Sequence, residues 1–191
     1  RMLSALHYLS EIYQKRGQFD QAHVHAWRYV SLAPLEETAH RQLTTSDPGS
    51  YVGASVAGAG DVNGDGYDDV IVGAPHVHLD IGYNGAAYLY LGSAAGLSFS
   101  PAWSYTGINE SQFGASVCGA GDVNHDGYAD VLVGATRLSQ PENNEGAVYL
   151  FLGSASGLAA SPAWSYQSNQ SGALLGYDIA ALGDLNKDTY A

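Results

Sequence analysis

A single cysteine, Cys118, rules out any intrachain disulfide in this chain of 191 residues. Basic residues are scarce too: 7 Lys and Arg stand against 19 Asp and Glu, a formal net charge of −12. The shortage is uneven. Residues 1–43 hold five of the basic residues and four acids, whereas residues 44–191 hold only Arg137 and Lys187 against fifteen acids. That balance excludes a nucleic-acid surface in the second part. No apolar run approaches the ~20 residues of a membrane span. No Ser/His/acid arrangement with recognisable spacing and no phosphate-cradling Gly loop is present, so catalysis is not expected. A leader peptide is missing as well, but the chain opens on Arg1 and stops at Ala191 inside a motif, so both ends are read as cut.

What is present is one loop, written twice. Asp61-Val62-Asn63-Gly64-Asp65-Gly66-Tyr67-Asp68-Asp69 recurs as Asp122-Val123-Asn124-His125-Asp126-Gly127-Tyr128-Ala129-Asp130, and Asp184-Leu185-Asn186-Lys187-Asp188 opens a third copy. Oxygen-bearing side chains at positions 1, 3, 5 and 9, with Gly at 6 for a sharp turn, suit a hard cation such as Ca²⁺. Position 7 would give its backbone carbonyl. An EF-hand would need Glu at position 12 and a helix after it. Here position 12 is Val72 or Val133, inside β-branched runs that read as buried strands. The ninth-position Asp therefore closes the loop, and a strand leaves it.

The loop belongs to a larger repeat. Residues 53–74 and 114–135 align without gaps and differ only at Ala57/Cys118, Gly64/His125, Asp68/Ala129 and Ile71/Leu132. Each unit of about sixty residues holds four strand-like runs, in the first copy near 53–59, 69–73, 85–91 and 102–106. Four short strands per repeat is the content of one β-propeller blade. Cys118, in a strand-like run, reads as a small buried hydrophobe. Trp103 and Trp164, in matched strands, read as packing between blades, and His76 and His78 as loop residues. Asn109-Glu-Ser and Asn169-Gln-Ser are glycosylation sequons in matching loops but read first as polar turns.

Phe113-Gly-Ala-Ser-Val, followed by Gly119-Ala-Gly-Asp-Val-Asn and by Asp126-Gly-Tyr-Ala-Asp-Val-Leu-Val-Gly-Ala, resembles the FG-GAP repeat of integrin α head propellers and bacterial surface proteins. The resemblance covers 51–191. It implies a seven-bladed propeller with Ca²⁺ in hairpin loops on one face. By position it implies as ligands Asp61, Asn63, Asp65, the Tyr67 carbonyl and Asp69, and then Asp122, Asn124, Asp126, the Tyr128 carbonyl and Asp130. The third set, Asp184, Asn186 and Asp188, is incomplete, and Thr189 replaces its Gly. Tyr51-Val52 departs from the repeat's opening Phe.

Residues 1–45 read differently. Leu6, Leu9, Ile12 and Tyr13 keep a helical spacing up to Gly17, and Asp20 begins a second helical run broken at Pro34. Leu6, Leu9, Tyr13, Gly17, Phe19, Ala22 and Pro34 resemble a tetratricopeptide repeat, similar to those of bacterial transcriptional activators. His7, His23, His25 and His40 there do not form a metal pattern. Residues 44–50 form a turn-rich linker.

The fold class expected is therefore mainly β: a partial β-propeller of two four-stranded blades (51–112 and 113–174) and the start of a third (175–191), preceded by an α-helical hairpin. The function expected is a Ca²⁺-stabilised, non-catalytic binding or adhesion scaffold, extracellular or on the cell surface. It would take a protein or glycan ligand and require further blades outside this chain. The alternatives are a tetratricopeptide-containing bacterial regulator with an appended propeller, or the accessory part of a larger secreted hydrolase or lyase.

Overall fold

The computed structural model describes residues 49–78 and 82–182. The expected helical hairpin at 1–45 and the third loop at 184–189 lie outside these residues. Among the described residues there is no helix and there are eight strands. They are β1 (Ser55–Gly60), β2 (Asp69–Ala74), β3 (Ala86–Tyr90), β4 (Trp103–Thr106), β5 (Phe113–Gly121), β6 (Asp130–Ala135), β7 (Ala147–Phe151) and β8 (Trp164–Gln167). They form two four-stranded antiparallel sheets, β1-β2-β3-β4 and β5-β6-β7-β8, each a meander in chain order. Strand bounds agree with the expected runs to within a residue or two.

Alternation along each strand sorts side chains onto two faces. In the first sheet the register aligns Ala57, Ile71, Leu89 and Trp103 in one row across the four strands. That row faces the second sheet. Ile71 and Leu89 are fully buried there, in one core with Phe113, Val117, Val131, Val133 and Phe151. Aromatic rings close the seam. Trp103 and Tyr105 of β4 each lie 5.0 Å from Phe151, and Tyr105 lies 5.1 Å from Phe113. The Trp103 indole N–H donates to the Ala159 carbonyl at 2.9 Å. The opposite face of the first sheet gathers Val52, Val72 and Ala74 with Val56, Val70, Tyr88 and Tyr90.

The same row in the second sheet runs Cys118, Leu132, Leu150, Trp164, but it faces away from the first sheet. Two expectations are corrected here. Cys118 is only half-buried. Trp164 is 51% exposed and stacks on Tyr166 at 6.1 Å rather than packing between sheets. The sequence positions are equivalent to Ala57 and Trp103; what differs is whether a neighbouring sheet covers them.

The unit after the second sheet begins as the second does. Gly146 bridges Leu175 in parallel as Gly85 bridges Phe113. Ile179 N–H donates to the Ser116 hydroxyl, as Val117 N–H donates to the Ser55 hydroxyl. Leu175 and Ile179 thus contact the second sheet as Phe113 and Val117 contact the first.

Candidate metal loops

Each loop leaves its first strand at a register shift, between Gly58 and Gly60 in β1 and between Gly119 and Gly121 in β5. Such a bulge re-aims the chain as pairing ends, and the loop's first Asp follows directly. The loop then folds around that side chain. Asp61 Oδ1 accepts from the N–H groups of Gly64 (2.7 Å) and Asp65 (3.1 Å), and Oδ2 from Gly66 (2.8 Å). Asp122 repeats this with Asp126 (3.0 Å) and Gly127 (2.8 Å). The sixth position must turn the backbone through the left-handed region, and Gly66 (φ 89°) and Gly127 (φ 91°) do so without the steric penalty a side chain would carry.

Positions 3 and 5 are joined. Asn63 Oδ1 accepts from Asp65 N–H at 3.0 Å, and Asn63 Nδ2 donates to Asp65 Oδ2 at 2.9 Å. Asn124 and Asp126 make the same two bonds. Asp65 Oδ1 also accepts from Tyr67 N–H, which fixes the turn at position 7.

The ninth-position acids sit at the floor. Asp69 and Asp130 are fully buried. Asp69 accepts from Val62 N–H (3.0 Å) and from Gly92 N–H (2.8 Å), which follows β3; Asp130 accepts from Val123 and Gly153 in the same way, both at 2.8 Å. One carboxylate thus ties the loop's start to the strand two places along the sheet. Burial pushes the Asp69 carboxyl above its usual range, against the pull of its two backbone donors, and the charges of Asp65 and Asp61 push the same way. Asp130 is raised for the same reasons, with Asp126 and Asp122 as its neighbours. Asp122 is held below the usual range: burial acts upward, but donors from Gly127, Asp126 and His125 and the His125 charge outweigh it. The ninth-position acid of each loop therefore lies within electrostatic reach of the carboxylates at positions 1 and 5.

Among the described residues no group of three His, Cys, Asp or Glu side chains converges closely enough to hold an ion by those residue types alone. The donor set still fits a hard divalent cation in kind. It is all oxygen, and a carboxylate has about four lone-pair sites. The two hydrogen bonds on Asp69 and on Asp130 leave acceptor capacity on both oxygens.

Several residues at the far rim carried no sequence signal. A cavity of about 410 Å³ is lined by Gln112, Thr136, Arg137, Asn144, Gly172, Leu174 and Tyr177. Arg137 is the only Lys or Arg among the described residues. Glu145, fully buried, accepts from Gln140, Glu142 and Asn169 N–H groups and so pins two loops together. His76 and His78 both pack on the Tyr83 ring, at 4.9 and 5.2 Å, which agrees with their reading as loop residues. Asn109 and Asn169 are exposed, at φ 51° and 53°.

Residues 52–90 and 113–151 match the FG-GAP repeat. The chain is 37% identical to integrin alpha-6 of Gallus gallus over 134 residues, covering 68% of this chain and 12% of that protein. It is 34% identical to integrin alpha-3 of Mus musculus over 157 residues, covering 78% and 14%. It is also 34% identical to integrin alpha-8 of Gallus gallus over 176 residues, covering 85% and 16%. The chain therefore spans about a seventh of the length of these relatives. Residues 49–191 make up three quarters of the chain, so a match covering 85% of it reaches into the stretch that resembled a tetratricopeptide repeat. The two four-stranded sheets thus each carry one FG-GAP repeat, in a chain that is integrin-α-like over most of its length.

Proposed function

We propose that this chain is a calcium-holding segment of a larger β-propeller that serves as a non-catalytic binding or adhesion scaffold at the cell surface or outside the cell. The observation that carries the reading is the duplicated loop, in which two copies build the same all-oxygen cradle from the same hydrogen bonds. Asp61, Asn63, Asp65, the Tyr67 carbonyl and Asp69 would hold one ion, and Asp122, Asn124, Asp126, the Tyr128 carbonyl and Asp130 another. Asp184, Asn186 and Asp188 would begin a third set.

When bound, Ca²⁺ supplies positive charge that offsets the mutual repulsion of the carboxylates. The chain's own residues do the rest. Asp61 and Asp122 gather the loop amides, so the loop is partly organised before an ion arrives. Asp69 and Asp130 anchor it to the sheet. Asn63 and Asp65, already joined by two hydrogen bonds, would each present a side-chain oxygen to the ion. Because the ligands come from one loop on the blade that the loop stabilises, binding energy becomes folding stability. The acids are committed to holding the loop, which leaves them no catalytic part. The partner would be a protein or glycan ligand; the rim away from the loops carries Arg137, the one Lys or Arg among the described residues.

The test is a thermal melt of chelator-stripped protein. EDTA lowers the melting temperature, excess Ca²⁺ restores it, and Mg²⁺, which prefers a tighter and more hydrated site, restores it less. An unchanged melt would remove the structural role of the ion.

A further inference from the structure

The two loops touch, and the contacts run through the residues proposed to hold the ions. Ala129 N–H, at position 8 of the second loop, donates to the carbonyl of Asp61, the first residue of the first loop, at 2.9 Å. Ala129 directly follows Tyr128, whose carbonyl is a proposed ligand. A second link passes through residues 153–154. Gly153 N–H donates to Asp130 Oδ1 at 2.8 Å, and the next amide, Ser154 N–H, donates to the Val62 carbonyl at 3.1 Å. The third link is steric. The Tyr128 ring stands so close over Gly64 that a Cβ there would lie 2.7 Å from Tyr128 Cε1. Gly64 has φ 73°, and its N–H is one of the donors to Asp61.

We infer that the two loops bind Ca²⁺ cooperatively, each ion raising the affinity of the neighbouring loop. The inference rests on the calcium reading above. An ion on the second loop fixes the Tyr128 carbonyl and with it the Ala129 amide that holds Asp61. It also fixes Asp130, and with it the Gly153–Ser154 segment that holds Val62. The first loop then has less motion left to lose when its own ion arrives, which is a coupling free energy carried by ordering. By linkage the effect is reciprocal. The direct repulsion between two bound cations opposes it, but that term is screened over about 8 Å at 0.15 M ionic strength, whereas the hydrogen bonds and the ring contact are not.

The experiment is calorimetric titration of the full chain with Ca²⁺ at 0.15 M ionic strength, with Asp184→Ala as the common background so that the third loop is silent. Asp126→Ala disables the second loop and Asp65→Ala the first. Loop 1 in Asp126→Ala, and loop 2 in Asp65→Ala, each bind at least about fivefold more weakly than the corresponding step in the background protein, by the same factor. Tyr128→Ser keeps every proposed ligand, removes the ring over Gly64, and shrinks that factor. Raising the salt to about 1 M, where screening shortens to roughly 3 Å, removes any part due only to the lost charge and leaves the contact-borne part. Independent sites, with each loop keeping its affinity within about twofold when the other is disabled, overturn the coupling but leave the calcium reading intact. Absence of Ca²⁺ uptake by the background protein overturns both. If Asp126→Ala does not fold, the background isotherm decides: steeper than two independent sites supports the coupling, a non-cooperative curve refutes it.

Discussion

Replacing Asp69 with Asn separates the two roles assigned to the ninth-position acid. The side chain keeps its shape, but one of its two oxygens becomes an NH₂ group. Asp69 is fully buried and its two oxygens accept from Val62 and Gly92. One of those backbone donors must therefore face another donor in the variant. A hydrogen bond to a charged group contributes about 1.5–3 kcal/mol, and stranding a buried partner costs about 1–3 kcal/mol. Removal of a buried charge gives some of this back. The expected loss is about 2 kcal/mol in EDTA, before any ion is involved. Asp65→Ala is the control. Asp65 is exposed and bonds only within the loop, so in EDTA it changes stability by less than about 0.5 kcal/mol. Both variants lose the Ca²⁺-dependent increment of the first loop. Urea unfolding in EDTA and in excess Ca²⁺ reads the two contributions apart. If Asp69→Asn is as mild as Asp65→Ala in EDTA, the clamp from Val62 through Asp69 to Gly92 does not hold the sheet together.

Two further outcomes follow from packing and burial. Trp103→Ala removes an indole that sits between the sheets and bonds Ala159, and costs about 2–4 kcal/mol; Trp164→Ala at the equivalent but 51% exposed position costs under about 1 kcal/mol. Equal losses in urea unfolding would contradict the assignment of the two faces. Burial raises the phenol pKa of Tyr88, Tyr90 and Tyr149 above the ordinary 10.0. An acid whose folded pKa is raised contributes stability below its unfolded value and loses it as pH climbs through the folded one. The melting temperature therefore falls once pH passes about 10, and Tyr149→Phe lessens that fall; a flat alkaline profile would count against the burial of these rings.

The strands and loops were legible because the chain writes them twice. An Asp followed by Val, Ile or Leu, Val and Gly is short, β-branched and ended by Gly, which favours a buried strand in both copies, and Gly at the sixth position marks a left-handed turn. The hydrogen-bonded role of Asp69 was not legible. Its partner Gly92 lies 23 residues on and is brought to it by the register of β2 with β3. The exposure of Cys118 and Trp164 is not legible for a related reason. A residue on a blade face is buried by the next blade, so its environment is written in a different part of the chain from its own. Glu145 gives no repeat signal because the first copy has Asn84 there, whose side chain accepts the Glu110 amide instead; the repeat preserves the task of tying two loops and changes the residue. Arg137 stood out only once the fold placed it beside Gln112 and Tyr177 at the rim away from the acidic loops.

The central claim is that each duplicated loop holds one ion, and counting ions tests it most directly. Equilibrium dialysis of the full chain against Ca²⁺ should retain at least two equivalents per chain, with one lost in Asp65→Ala, a different one lost in Asp126→Ala, and both lost in the double variant. Uptake of no calcium by the unmodified chain, or uptake that both substitutions leave unchanged, would contradict it.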